Sequence, residues 1–187
     1  MASKRNGKVR IIAGNWRSRL LEVTDVDGLR PTGARVRETL FNWLQHDVVG
    51  ARCLDLFAGT GALGFEGLSR GAAHCDFVDA SRQSVAALQR NAAALGAGER
   101  GAIHCTDAKT WLSAAQAPYD LIFFDPPFAG GHWAELLPMA MAHLAEGGKL
   151  YVEAPKLQTI EMADLERLKH KVLGEVQVCL FARETQR

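Results

Sequence analysis

Cys53-Leu54-Asp55-Leu56-Phe57-Ala58-Gly59-Thr60-Gly61-Ala62-Leu63-Gly64 joins an apolar run of strand length to a glycine-punctuated turn. Leu63 to Arg70 then reads as a helix. Strand, glycine turn and helix in that order form the unit that builds a parallel sheet and places a ligand at the helix N-terminus. Glycines let the backbone come close to that ligand, and the helix N-terminus attracts a negatively charged group. Asp79 lies twenty residues beyond Gly59, at the end of the next apolar run, where its carboxylate can accept hydrogen bonds from ribose hydroxyls. The loop alone thus specifies a ribose-bearing cofactor without choosing among them.

Downstream the unit repeats. Strands are predicted at Cys53 to Phe57, His74 to Asp79, Ala102 to Cys105, Tyr119 to Asp125 and Lys149 to Glu153. Helices fall between them at Leu63 to Arg70, Ser81 to Leu95, Lys109 to Ala115 and Trp133 to Leu144. This alternation specifies an α/β fold with a doubly wound, mostly parallel sheet and right-handed crossovers. Glu166 to Leu173 and Glu175 to Arg183 are separated only by Gly174, too tightly for a crossover helix, so they read as an antiparallel hairpin that brings the sheet to seven strands.

Upstream, Val9 to Ala13 and Arg19 to Val23 flank a Gly14-Asn15 break and read as a short basic β-hairpin with Trp16 and Arg17 at its turn. A helix follows Pro31-Thr32, with Val36, Leu40, Trp43 and Leu44 on its apolar face and Arg35, Arg37, Glu38 and Asn42 off it. We expect residues 1–34 to form a basic extension and residues 35–187 the catalytic domain.

Charge supports that division. Residues 1–37 hold nine basic side chains against three acids, whereas the remaining chain holds thirteen against eighteen, within a net charge of +1. Such asymmetry suits a polyanion-binding arm on an acidic body. Arg10, Trp16, Arg17 and Arg19 of the hairpin, with Arg35 and Arg37, are the candidate RNA contacts, because unpaired bases stack on aromatic rings and guanidinium planes. Trp16 could equally pack the hairpin. The 187 residues suit one main core, no apolar stretch is long enough for a membrane span, and the first residues lack a signal peptide's apolar segment, so a cytoplasmic protein is expected. Cys53, Cys75, Cys105 and Cys179 form no CxxC pair; reduced core thiols and no metal centre are expected.

The second decisive stretch is Phe124-Asp125-Pro126-Pro127-Phe128, which ends the apolar run Leu121 to Phe124. Proline cannot continue a strand ladder and extends the residue before it, so Asp125 is presented at a strand end. An exocyclic amine on a nucleobase is a weak nucleophile because its lone pair is delocalised into the ring. Asp125 and the Pro126 carbonyl can accept its two N–H bonds and turn that lone pair outward, Pro127 shapes the turn, and Phe128 can stack on a base turned out of its helix. Asp55 would pair with the ammonium of a methionine moiety and would be an awkward neighbour for a pyrophosphate, which favours S-adenosylmethionine over NAD. Asp107 can accept from an adenine amino group, cap the helix that follows, or do both. Phe57, Thr60, Ala80 and Ala108 complete the expected cofactor set with Asp55, Gly59, Gly61, Asp79 and Asp107. An NAD-dependent oxidoreductase, for which His132 is the one candidate catalytic residue, and a DNA or protein amino-methyltransferase remain as rivals.

Arg10 to Val23 (RIIAGNWRSRLLEV), Gly28 to Leu44 (GLRPTGARVRETLFNWL), Leu54 to Ala72 (LDLFAGTGALGFEGLSRGA) and Phe123 to Phe128 (FFDPPF) together resemble the bacterial small-subunit ribosomal RNA (guanine-N2) methyltransferase family, RsmD. The likeness covers nearly the whole chain. It departs at Asp79, where a glutamate is frequent, and at Thr60, where serine is common. The resemblance implies a Rossmann-like class I methyltransferase sheet and S-adenosylmethionine as cofactor. It further implies methyl transfer to the N2 amine of one guanine in small-subunit ribosomal RNA, presented on a partly assembled particle.

Overall fold

The computed structural model describes residues 7–23, 32–114, 117–127, 133–160, 162 and 164–183. A two-stranded antiparallel hairpin comes first, β1 (Lys8–Arg10) with β2 (Leu20–Glu22). Helix α1 (Ala34–Trp43) leads into β3 (Arg52–Asp55), α2 (Ala62–Ser69), β4 (His74–Asp79), α3 (Arg82–Leu95) and β5 (Gly101–Cys105). Then come α4 (Ala108–Ser113), β6 (Tyr119–Phe124), α5 (Trp133–Ala142), β7 (Leu144–Pro155), β8 (Leu165–Leu173) and β9 (Val176–Arg183).

The seven-stranded sheet has the order β5-β4-β3-β6-β7-β9-β8. Its first five strands are parallel, and β9 enters antiparallel between β7 and β8. From β3 the chain winds out through β4 to β5, then returns to place β6 on the other side of β3. The carboxyl ends of β3 and β6 therefore flank the point where strand order reverses, which is where open α/β sheets bind ligands. Asp55 pairs in register with Phe123, so Asp125 lies just beyond the neighbouring strand tip.

Each face of the sheet carries its own core. One is built from α1, α2 and α3 and includes Leu40, Phe65 and Leu88. The other is built from α4 and α5 and includes Leu112, Leu136 and Ala140. Val9, Ile11 and Leu21 of the hairpin lie within the first, so the N-terminal strands share the body's core.

The largest departure from the sequence reading lies between α5 and β7. Helix α5 stops at Ala142, and β7 begins at Leu144 because Leu144 already pairs with Tyr119. The register then shifts between Tyr119 and Leu121, with Gly147 in the left-handed region, so a segment that reads as a loop belongs to the strand.

Candidate active site

The glycine turn is built by backbone geometry that other residues resist. Gly59 and Gly61 have φ of 52° and 79°. At Gly61 a Cβ would also lie 2.5 Å from the Phe65 ring, and at Gly64 it would lie 2.3 Å from the Phe77 ring. The third glycine is thus demanded by close packing of α2 against β4.

Carboxylates hold this turn. Asp79 Oδ2 accepts the Gly59 N–H at 2.8 Å, and Oδ1 accepts the Ser81 N–H at 2.8 Å. A carboxylate has lone pairs to spare after two such bonds. Asp55 is buried and accepts the Gly64 N–H at 3.0 Å near the start of α2. Burial pushes its carboxyl up to about 7, against that hydrogen bond and with help from nearby Asp79. The Thr60 hydroxyl is buried without a partner among the described residues. An orphaned hydroxyl between two left-handed glycines is a place where a polar ligand group fits. Phe57 borders the turn and packs edge-on against Phe124, with ring centroids 5.4 Å apart.

Ala80 is exposed after Asp79, and Ala108 is buried at the first position of α4. Asp107 is exposed and caps α4, accepting from the Thr110 N–H at 2.8 Å and the Thr110 hydroxyl at 2.7 Å. The capping role is therefore visible, with lone pairs left over for a ligand.

Across the reversal point, Asp125 keeps partial exposure as a residue while its carboxyl is enclosed. Its Oδ2 accepts the Thr32 hydroxyl at 3.0 Å. Burial drives this carboxyl well above the usual range, and Glu153 and Asp55 add to the rise while the Thr32 bond opposes it. Pro126 is buried and Pro127 exposed; Phe128 and His132 lie outside the described residues. Glu153, on β7 beside β6, is buried and accepts the Tyr151 hydroxyl at 2.9 Å. Burial raises its carboxyl too.

The basic residues divide into two groups. Arg10, Arg17, Arg19 and Arg35 are exposed, and Lys8, Arg10 and Arg17 border a cavity of about 580 Å³ that also touches Thr32, Gly33 and Ala34. Arg37 departs from the expectation that it meets RNA, and Trp16 is partly covered. Arg37 is 3% exposed and is consumed by bonds to Thr32 O, Arg10 O and Glu66 Oε2, so it cannot grip a phosphate. Trp16 packs half-buried on the core, its backbone N–H donates to Ser69 Oγ, and the Arg100 guanidinium lies 5.5 Å from its ring centre. That is the packing role that the hairpin turn also allowed.

Three residues not singled out from the sequence prove central. Glu66 is fully buried and accepts from Ile12 N–H, Ala13 N–H, Arg37 and Arg70, clamping the hairpin to α2. Thr32 and Glu153 are the other two. Only the Arg-Pro-Thr entry to α1 hinted at Thr32. Among the described residues, no group of His, Cys, Asp and Glu is arranged to hold a metal ion, and no helix is long and apolar enough to cross a membrane.

Comparison with known proteins accords with this architecture. A family model described as Conserved hypothetical protein 95 matches residues 9–182. Ribosomal RNA small subunit methyltransferase D of Escherichia coli K12 is 41% identical over 97% of this chain and 93% of its own length. Its namesake in Haemophilus influenzae is 39% identical, with 94% of each chain covered. Among solved structures, yhhF from Escherichia coli superposes with a TM-score of 0.87 at 41% identity, covering 96% of this chain and all of that one.

Proposed function

The chain belongs to the ribosomal RNA small subunit methyltransferase D family, and from that premise we propose that it transfers the methyl group of S-adenosylmethionine to the exocyclic N2 amine of a guanine in small-subunit ribosomal RNA. It is an enzyme of the methyltransferase class. The observation that carries the detailed reading is the gathering of carboxyl groups at the reversal point. Asp55, Asp79, Asp125 and Glu153 lie close enough that Asp79 raises Asp55, while Glu153 and Asp55 raise Asp125. Such a site repels a pyrophosphate and favours a cation. S-adenosylmethionine carries both a sulfonium and an ammonium.

In this reading Asp55 faces the ammonium, Asp79 takes the ribose hydroxyls, Gly59, Thr60 and Gly61 line the ligand, and Asp107 and Ala108 border the adenine with Phe57 and Ala80. The cofactor supplies a methyl group made electrophilic by positive sulfur. Asp125 and the Pro126 carbonyl accept the two N–H bonds of the guanine amine, which localises the nitrogen lone pair and aims it at that methyl. Bound there, the cofactor would give up its methyl group to the amine, the S–C bond breaking as the N–C bond formed, and Asp125 would take the surplus amine proton along its hydrogen bond. Positioning and fixed dipoles account for most of the acceleration. Phe128 stacks on the flipped base. Arg10, Arg17, Arg19 and Arg35 hold the flanking phosphates.

The substrate in this reading is a partly assembled particle in the cytoplasm, because a guanine must be displayed unpaired beside a folded phosphate surface. Transfer of labelled methyl to small-subunit particles lacking the modification, followed by nucleoside analysis, tests it. The expected product is N2-methylguanosine at one position. A methylated adenine, cytosine or protein, or no transfer to any ribosomal RNA, would overturn the assignment.

A further inference from the structure

Thr32 is 7% exposed, and both of its side-chain and main-chain oxygens are engaged. Its hydroxyl donates to Asp125 Oδ2 at 3.0 Å, and its carbonyl accepts from Arg37 Nε at 3.1 Å. Arg37 Nη1 then donates to Arg10 O at 3.0 Å and to Glu66 Oε2 at 3.2 Å. Glu66 accepts the Ile12 N–H at 2.9 Å and the Ala13 N–H at 3.1 Å. An unbroken hydrogen-bonded path thus runs from the basic hairpin to the acid beyond β6. Thr32 also borders the cavity of about 580 Å³ rimmed by Lys8, Arg10 and Arg17, so it stands between the phosphate-facing surface and the acid.

We propose that Thr32 is a positioning residue for Asp125: its hydroxyl fixes the carboxylate conformer, and the Arg37–Glu66 pair fixes Thr32 to the hairpin that meets RNA. The inference rests on the role given to Asp125 above. A carboxylate at a strand end can rotate about two side-chain bonds, and small errors of aim are costly when an amine must be oriented against a methyl group. Among the described residues, the Thr32 hydroxyl is the side-chain donor that selects one arrangement. Around the same carboxyl stand Glu153 and Tyr151 of β7 and Asp55 of β3, none of which supplies a positive charge. The hydroxyl therefore opposes all of them, moderating a rise that burial and Glu153 dominate.

The test compares Thr32→Val, Thr32→Ala and Thr32→Ser on small-subunit particles that the unaltered enzyme methylates at guanine N2. Valine preserves shape without the hydroxyl, alanine removes it with less bulk should valine disturb folding, and serine restores it. Loss of the hydroxyl should lower kcat about tenfold or more, from the usual value of a hydrogen bond to a charged group, while KM for S-adenosylmethionine stays within about twofold. The acidic limb of the pH–rate profile should move to higher pH in the valine and alanine forms, because the bond that lowers the Asp125 carboxyl is gone. Serine should recover most of kcat and the original limb. Unchanged kcat and limb in folded valine or alanine enzyme, or failure of serine to rescue, would overturn the positioning role. Absence of guanine methylation by the unaltered enzyme would instead sink the function on which it rests.

Discussion

Arg37 Nη1 and Glu66 Oε2 lie 3.2 Å apart, with side-chain exposures of 3% and 0%. A buried ion pair is not by itself a source of net stability, because both ions lose their water. Removing one partner is a different matter, since the survivor is left charged and unpaired. Glu66 also takes two hairpin N–H groups and Arg70, so its loss strands several donors together. Glu66→Gln should therefore cost about 3 kcal/mol or more, a fall in Tm of roughly 10 °C for a chain of this size. Calorimetry or melting by circular dichroism measures it. A fall below about 2 °C would mean that the hairpin is held by its apolar residues alone.

Asp125 stands outside this clamp but at the end of the path that starts from it. Asp125→Ala removes a carboxylate whose burial and carboxyl neighbours already disfavour its ionised form, so the fold loses little. Turnover should fall by about two orders of magnitude or more, because the amine loses its acceptor in the transition state. Affinity for S-adenosylmethionine should stay within about threefold of the original by calorimetric titration. Near-normal turnover would remove Asp125 from the mechanism, whereas lost cofactor affinity would move it to the cofactor side.

Asp55 gives a pH dependence of two opposite signs. Its carboxyl is raised to about 7 from 3.8 in the unfolded chain, so the folded protein binds the extra proton between those values. Asp55 accordingly takes stability away from the empty protein as pH rises from about 4 to 7. Affinity for a cationic cofactor runs the other way, because only the carboxylate attracts an ammonium. Between pH 5.5 and 7 the cofactor's ammonium stays charged, so its Kd should fall about tenfold across that interval, with a proton released on binding. Asp55→Asn should flatten the dependence. A Kd that is level with pH in the original protein would show that Asp55 does not face the ligand.

The parts of this arrangement that could be read in advance are those whose signal is local. Gly59-x-Gly61-x-x-Gly64 is legible because left-handed φ and close packing demand glycine at fixed spacing, and Asp125 is legible because two prolines stop its strand. The alternation of apolar runs gave the sheet, but it hid the early start of β7, since Gly147-Gly148 looks like a loop wherever the partner strand is unknown. Glu66 was illegible for another reason. A glutamate inside a helix ordinarily reads as solvated, and it is the docking of a hairpin more than fifty positions earlier that brings two backbone N–H groups onto Glu66. Thr32 and Asp125 are separated by 93 positions, so nothing in either local pattern announces their bond. Arg37 shows the converse failure: its place off the apolar stripe suggested exposure, yet Glu66 draws it inward.

That sorting of arginines changes what a charge-removal experiment should show. Arg10, Arg17 and Arg19 are exposed on the hairpin, and among the described residues their side chains bond only carbonyl groups, Arg10 with Ser18 O and Arg19 with Ala94 O. Carbonyl partners leave a guanidinium its full charge, so all three stay available to phosphates. Neutralising them together as glutamines should weaken RNA binding and flatten the dependence of log affinity on log salt by about 2, since each contact to single-stranded RNA contributes roughly 0.7. The melting temperature should hardly move, because surface changes of this kind cost little. Arg37→Gln should give the opposite pattern, with a lower Tm and an unchanged slope in whatever fraction stays folded. Filter binding across a salt series, run beside melting curves, separates the two. A slope untouched by the triple change would place the RNA grip elsewhere on the molecule, with the basic edge strand β8 (Arg167, Lys169, Lys171) the next surface to neutralise.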